Sequence, residues 1–139
     1  MSAFFWALLT ACIWGVVPLM EKLGLRHASP TVGVMVRSLG VLVGLLVMTA
    51  WGAPWAAIRV LPWTSVVLLA AGGFLASFVG QMVFYHALKS GALSQVTPVA
   101  GAYPLVAALL GWFVLREPLT LSRGLGVLCV VVGVVLLRK

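Results

Sequence analysis

Apolar stretches without a charged residue, each long enough to cross a membrane, follow one another along this chain with only short interruptions. A hydrocarbon layer of ~30 Å takes ~20 residues of helix to span. A water-soluble fold would need a polar shell, and the residues for one are missing. Of the 139 residues, 63% are hydrophobic and 8% are charged, against ~25% charged in an ordinary soluble domain. With a mean hydropathy of +1.21, the chain has lipid as its natural solvent. Helices are preferred to barrel strands, because each apolar run exceeds the ~10 residues of a membrane strand and lacks sustained period-two alternation. A helix also satisfies its backbone polar groups within its own segment. The sequence therefore predicts an all-α, polytopic membrane protein of about five transmembrane helices, forming one domain over residues 1–139 of a multi-pass protein of the cell membrane.

Span one is expected at about residues 3–20, kinked by Pro18 and closed by the charged cluster Glu21, Lys22, Arg26 and His27. It lacks a basic leader and a small-residue cleavage site, so it reads as a span and not as a signal peptide. Span two, about 31–51, follows Pro30 and closes in the turn residues Gly52, Ala53 and Pro54. Trp55, Arg59 and Trp63 then suit the membrane interface. Span three is expected at about 62–88, with Pro62 in its first turn. A short turn at Lys89, Ser90 and Gly91 leads to span four, about 92–115, and span five, about 119–137, ends on Arg138 and Lys139. Glycines such as Gly33, Gly40, Gly44, Gly72 and Gly80 inside the spans let membrane helices approach closely.

The formal net charge is +7, from nine Lys and Arg against two acids, Glu21 and Glu117. The basic residues are spread along the chain, without the clustered stripe that nucleic acid requires, and read as anchors beside anionic head groups. No nucleic-acid partner is expected. Cys12 and Cys129 lie inside apolar stretches, far from any metal-type spacing. The chain has no Asp, no phosphate-binding glycine loop, and no nucleophile with base and orienting acid, so neither an enzyme nor a cofactor or metal site is predicted.

The most informative pattern lies in "ALKSGALSQVTPVAGAYPLVAALLGWFVLREPLTLSRGLGVLCVVVGVVLL", with its ordered Pro98, Pro104, Glu117, Pro118, Gly126 and Gly133. This stretch resembles the end of a repeat unit in the EamA-like branch of the drug/metabolite transporter superfamily. Trp14, Gly15, Lys22, Pro30 and Arg37 resemble that family's opening pair of helices, so the resemblance covers nearly the whole chain. It implies a helical transporter fold equivalent to one half of an inverted-repeat transporter, since common family members are twice as long. A single unit would find its other half by dimerising, and an antiparallel homodimer would rebuild the inverted repeat. The charges test orientation only in part. Arg59, Arg116 and Arg123 fall on one side, and Lys22, Arg26, Lys89, Arg138 and Lys139, with Arg37 reaching the same side, fall on the other. The bias points to a cytoplasmic C-terminus but permits dual topology. Gly126 and Gly133 share one face of span five and resemble the dimer-forming last helix of the small multidrug resistance proteins; ordinary packing within one subunit explains them equally. Those exporters also use a glutamate in mid-helix one, where this chain has Trp14 and apolar neighbours, which speaks against cation/proton exchange.

Six residues are candidate substrate contacts: Trp14, Arg37, Gln81, Tyr85, Thr97 and Tyr103. Arg37 lies roughly 9 Å into span two at a rise of ~1.5 Å per residue, where it can meet an anionic or zwitterionic solute or snorkel to the head groups. Ser77, Gln81, Tyr85 and Lys89 recur every four residues as a polar stripe on span three, suited to a cavity or to interhelical hydrogen bonds. Thr97 and Tyr103 flank the proline-interrupted part of span four, of the kind that lines transporter sites or merely kinks a helix. Trp14 lies mid-span, where it could stack on a solute or act as filler. Glu117, beside Arg116 and before span five, reads as structural. The function expected is secondary transport of a small metabolite by alternating access, as a dimer embedded in the lipid bilayer. A non-transporting membrane subunit or regulator that pairs with a different protein is the alternative.

Overall fold

The computed structural model describes residues 3–52, 55–118 and 120–137, with the side chains of residues 3, 4 and 56 left aside. The described residues form helices and turns without strands. The chain divides into two compact units, residues 1–89 and 90–139. The sequence readings of Ala53 and Pro54 as turn residues, of Leu119 as a span start and of Arg138 and Lys139 as terminal anchors lie outside the described residues.

In the first unit, α1 runs over Ala3–Gly24 and continues through Pro18. It passes the position expected for its end, so Glu21 and Lys22 lie within its last turns. Helix α2, Pro30–Ala50, starts where the sequence marks a start: Ser29 caps it by accepting a hydrogen bond from the Val32 backbone N–H, and Pro30 takes the first turn. A short α3, Trp55–Arg59, precedes the third long segment. That segment comprises α4, Trp63–Phe74, a π-helical stretch, Leu75–Gly80, and α5, Gln81–Ser90. Phe74 and Phe78 stack at 5.3 Å between ring centroids at the entry to the π-helical stretch.

Four helical segments are long and apolar enough to cross a membrane: Phe5–Gly24, Pro30–Ala50, Trp63–Ser90 and Leu93–Phe113. The fifth expected span is the shorter α8, Leu121–Leu136. Its 16 residues reach about 24 Å at the α-helical rise.

The buried hydrophobic residues among those described are Leu25, Val34, Tyr85 and Leu88, all in the first unit where the end of α1, the start of α2 and α5 meet. The apolar side chains of the middle of α2, such as Leu39, Val43 and Leu46, are exposed, as expected of surfaces that face lipid or another helix. Gly33 is what allows the close meeting. A Cβ there would stand 2.8 Å from Leu25 Cδ2 and 2.9 Å from Tyr85 Cε2, far inside ordinary contact.

In the second unit, span four is two helices, α6, Leu93–Ala100, and α7, Tyr103–Phe113. The break follows from the prolines. Pro98 withholds a donor inside α6, Pro104 sits in the first turn of α7, and Gly101 and Ala102 form the turn between them. Helix α7 ends in a reversal in which Arg116 takes a positive φ of 54° and the Glu117 N–H reaches the Gly111 carbonyl at 3.1 Å. Thr120 then caps α8 by accepting from the Arg123 backbone N–H. Glu117 pairs with Arg123 at 3.8 Å on an exposed surface, the structural role its position before span five suggests.

Candidate functional site

Three of the six candidate side chains converge in the first unit, on a residue the sequence reading placed outside the membrane interior. The Gln81 amide Nε2 donates to Glu21 Oε1 at 2.9 Å, and the Tyr85 hydroxyl donates to the same oxygen at 2.9 Å. Arg37 Nε stands 3.5 Å from it. Helix geometry explains the convergence: Gln81 and Tyr85 are four apart on α5 and so share a face. Arg37 is four residues after Gly33, so the helix face that touches Tyr85 also presents the guanidinium. The Glu21 side chain is 11% exposed and that of Arg37 33%. An isolated charge in such surroundings would be costly, and each ion makes the other tolerable.

The polar stripe expected on span three is only partly realised. Gln81 and Tyr85 face α1, and the Lys89 ammonium donates to the Ala28 carbonyl at 2.6 Å. Ser77 falls in the π-helical stretch and is exposed, because the wider turn changes the angular relation on which a four-residue repeat depends. A second lysine works in the opposite sense: Lys22 of α1 donates to the Leu88 carbonyl at 2.6 Å. That carbonyl belongs to the last turn of α5, where helix carbonyls lack intrahelical partners and favour a cation. The two lysines thus tie α1 and its following loop to the end of α5.

Beside this cluster lies a groove of about 560 Å³ between α1 and α2. Val17, Met20, Glu21 and Gly24 line it from one face of α1, and Gly33, Val36, Arg37 and Val41 from one face of α2. Each set follows the three- and four-residue spacing of a helical stripe. Tyr85 closes the end where the helices meet. The lining is mainly apolar, and its polar part is the cluster itself. Arg37 Nη1 is buried and finds no hydrogen-bond acceptor among the described residues.

Trp14 is in the same unit but 59% exposed, apart from the cluster. Thr97 and Tyr103 belong to the second unit. Thr97 lies in α6, where its hydroxyl has no partner among the described residues, and Tyr103 opens α7 and is exposed. Among the described residues of the second unit, no neighbouring atom lies within 4 Å of a Cβ at Gly126 or Gly133 on α8. Among the described residues, no group of three His, Cys, Asp or Glu side chains stands close enough to hold a metal ion.

Glu21 was missed because its position next to Lys22 suggested the end of a span. One signal was available: an arginine inside a membrane helix requires a counter-charge, and the chain offers two acids. Glu21 is the one on the neighbouring helix.

Apolar helices of membrane-spanning length, without strands among the described residues, define an all-α polytopic membrane protein. The chain belongs to the EamA-like transporter family, whose pattern it matches over residues 1–139. It is a membrane transporter by that membership, in agreement with the order of prolines, charges and glycines read from the sequence. It is 27% identical over 133 residues to an uncharacterized transporter in the cobO 3′ region of a Sinorhizobium species, covering 96% of this chain and 94% of that one. It is also 32% identical over 59 residues to an uncharacterized Methanocaldococcus jannaschii protein, covering 42% of this chain and 43% of the other. No solved structure gives a significant match.

Proposed function

We propose that the protein is a secondary transporter that moves a small metabolite across the cell membrane by alternating access, as a multi-pass homodimer. The observation that carries this reading is the Glu21, Arg37, Gln81 and Tyr85 cluster, built from three helices beside a groove. Ionisable residues within membrane helices are rare and mark solute pathways. The groove's volume of about 560 Å³ falls in the range of small-molecule sites, ~300–1,000 Å³. Dimerisation is supported by the resemblance to half of an inverted repeat and by Gly126 and Gly133, whose lack of a side chain lets another helix approach α8 closely. An antiparallel pairing would place two copies of the unit in the opposed orientations that alternating access uses.

Reconstituted liposomes containing the full chain test this reading with a panel of radiolabelled metabolites. Flux of at least one solute, abolished by Arg37→Ala, is expected. Flux that survives Arg37→Ala at the wild-type rate removes the cluster from the pathway. A topology reporter fused at the C-terminus should signal from both sides of the membrane if the dimer is antiparallel, and a signal from one side only rules that arrangement out. Absence of flux for every solute would favour a subunit that works with a different membrane protein.

A further inference from the structure

The ionisable groups lining the groove are Glu21, Arg37 and Tyr85. Glu21 and Arg37 form an ion pair, so the charge of the wall sums to zero. An ion entering an apolar groove loses hydration and must recover it from an opposite charge. Here an anion drawn to Arg37 meets the neighbouring Glu21 carboxylate, and a cation drawn to Glu21 meets the guanidinium. A solute without net charge has neither conflict. Arg37 adds a directional requirement. Its Nε turns to Glu21, while its buried Nη1 has no acceptor among the described residues. A buried N–H without an acceptor is unfavourable; Nη1 is closed off in this arrangement, and a turn of the guanidinium towards the groove would let an incoming carbonyl or hydroxyl oxygen satisfy it. Elsewhere on the groove wall, Val17, Val36 and Val41 offer only apolar surface.

We propose that this groove takes a net-uncharged solute with an apolar body and a hydrogen-bond-accepting head, the head seated on Arg37 and the body lying along Val17, Val36 and Val41. The proposal rests on the groove being the transport site. It narrows the cargo from small metabolites in general to neutral amphiphiles, and it gives the ion pair a selective role: each partner cancels the other's attraction for simple ions.

The test uses the full chain in lipid nanodiscs at neutral pH, with empty nanodiscs as the partition control. Hexanamide, hexanoate and hexylammonium share one alkyl body and differ in head-group charge, and their binding is measured by calorimetry. Hexanamide should bind at least about tenfold more tightly than either ion. Glu21→Gln leaves one net positive charge on the wall and should move the preference to hexanoate. Arg37→Gln leaves one net negative charge and should move it to hexylammonium. Val36→Trp, which fills the groove, should abolish binding of all three. If either ion binds the wild type as tightly as hexanamide does, and Val36→Trp abolishes that binding, the neutral class is wrong while the groove stands as the site. If no probe binds, or if binding is unchanged in Val36→Trp, both the proposal and the site reading fall. The wild-type ranking decides even if a charge variant does not fold.

Discussion

Gly33→Ala is the smallest change that should disturb the cluster, and its effect can be worked from the contacts. The added methyl would stand 2.8 Å from Leu25 Cδ2 and 2.9 and 3.0 Å from Tyr85 Cε2 and Cδ2, whereas unstrained carbon contacts lie at about 3.5–4.0 Å. Roughly half an ångström to one ångström must therefore be found. Leu25 is buried and Tyr85 is tethered through its hydroxyl to Glu21, so neither can swing clear without losing packing or a hydrogen bond. If α2 moves away instead, the 3.5 Å approach of Arg37 to Glu21 lengthens. Overpacking of this kind costs about 1–3 kcal/mol, offset by about 0.5–1 kcal/mol for replacing a helical glycine by alanine. Gly40→Ala on the same helix meets nothing within 4 Å among the described residues and should show only the favourable part. Unfolding of the two variants in detergent, followed by far-ultraviolet circular dichroism, should therefore separate them by about 1–3 kcal/mol, with Gly33→Ala the less stable. Equal stability of the two variants, or a more stable Gly33→Ala, would refute the close approach of α2 to Tyr85.

Tyr85→Phe keeps the ring against Gly33 but removes the donor to Glu21; a hydrogen bond to a charged group is worth about 1.5–3 kcal/mol, discounted towards the low end by partial exposure, and the loss should appear in the same unfolding assay. Lys89→Met breaks the tie to the Ala28 carbonyl at an exposed position, so stability should fall by less than about 1 kcal/mol, while hydrogen exchange in the loop after α1 should rise. Thr120→Ala removes the cap of α8 and should cost about 1 kcal/mol, read as increased exchange confined to the start of that helix. Trp14→Ala, at an exposed site, should change stability by no more than about 0.5 kcal/mol, and a larger loss would mean that Trp14 packs against protein.

The helices were legible because hydrocarbon imposes a length and a polarity that composition reveals directly. Pro30 marked the approach to α2 in the sequence, and the structure starts the helix at that residue, with Ser29, not read from the sequence, as its cap. Arg37, Gln81 and Tyr85 were legible as polar residues in apolar surroundings, where each needs a reason to exist. Glu21 was less so, since hydropathy locates the middle of a span better than its end, and α1 runs on to Gly24. Depth along a helix, as for Trp14, can be read from the sequence, but the direction in which a side chain points depends on neighbours that hydropathy does not identify. The π-helical stretch Leu75–Gly80 carries no local residue signature, and so a regular four-residue stripe extends through Ser77 in the sequence but not in the fold.

That stretch also affects how the third segment can change length. A π turn accommodates more residues per turn than the α-helix on either side. Loss of one residue between Leu75 and Gly80 can be absorbed by tightening the stretch towards α-helical winding, whereas the same loss between Gln81 and Tyr85 would rotate the two by about 100° relative to each other, so that both could no longer face Glu21. The segment thus contains a place where a deletion in the middle of a membrane helix can leave the polar face beyond it in register.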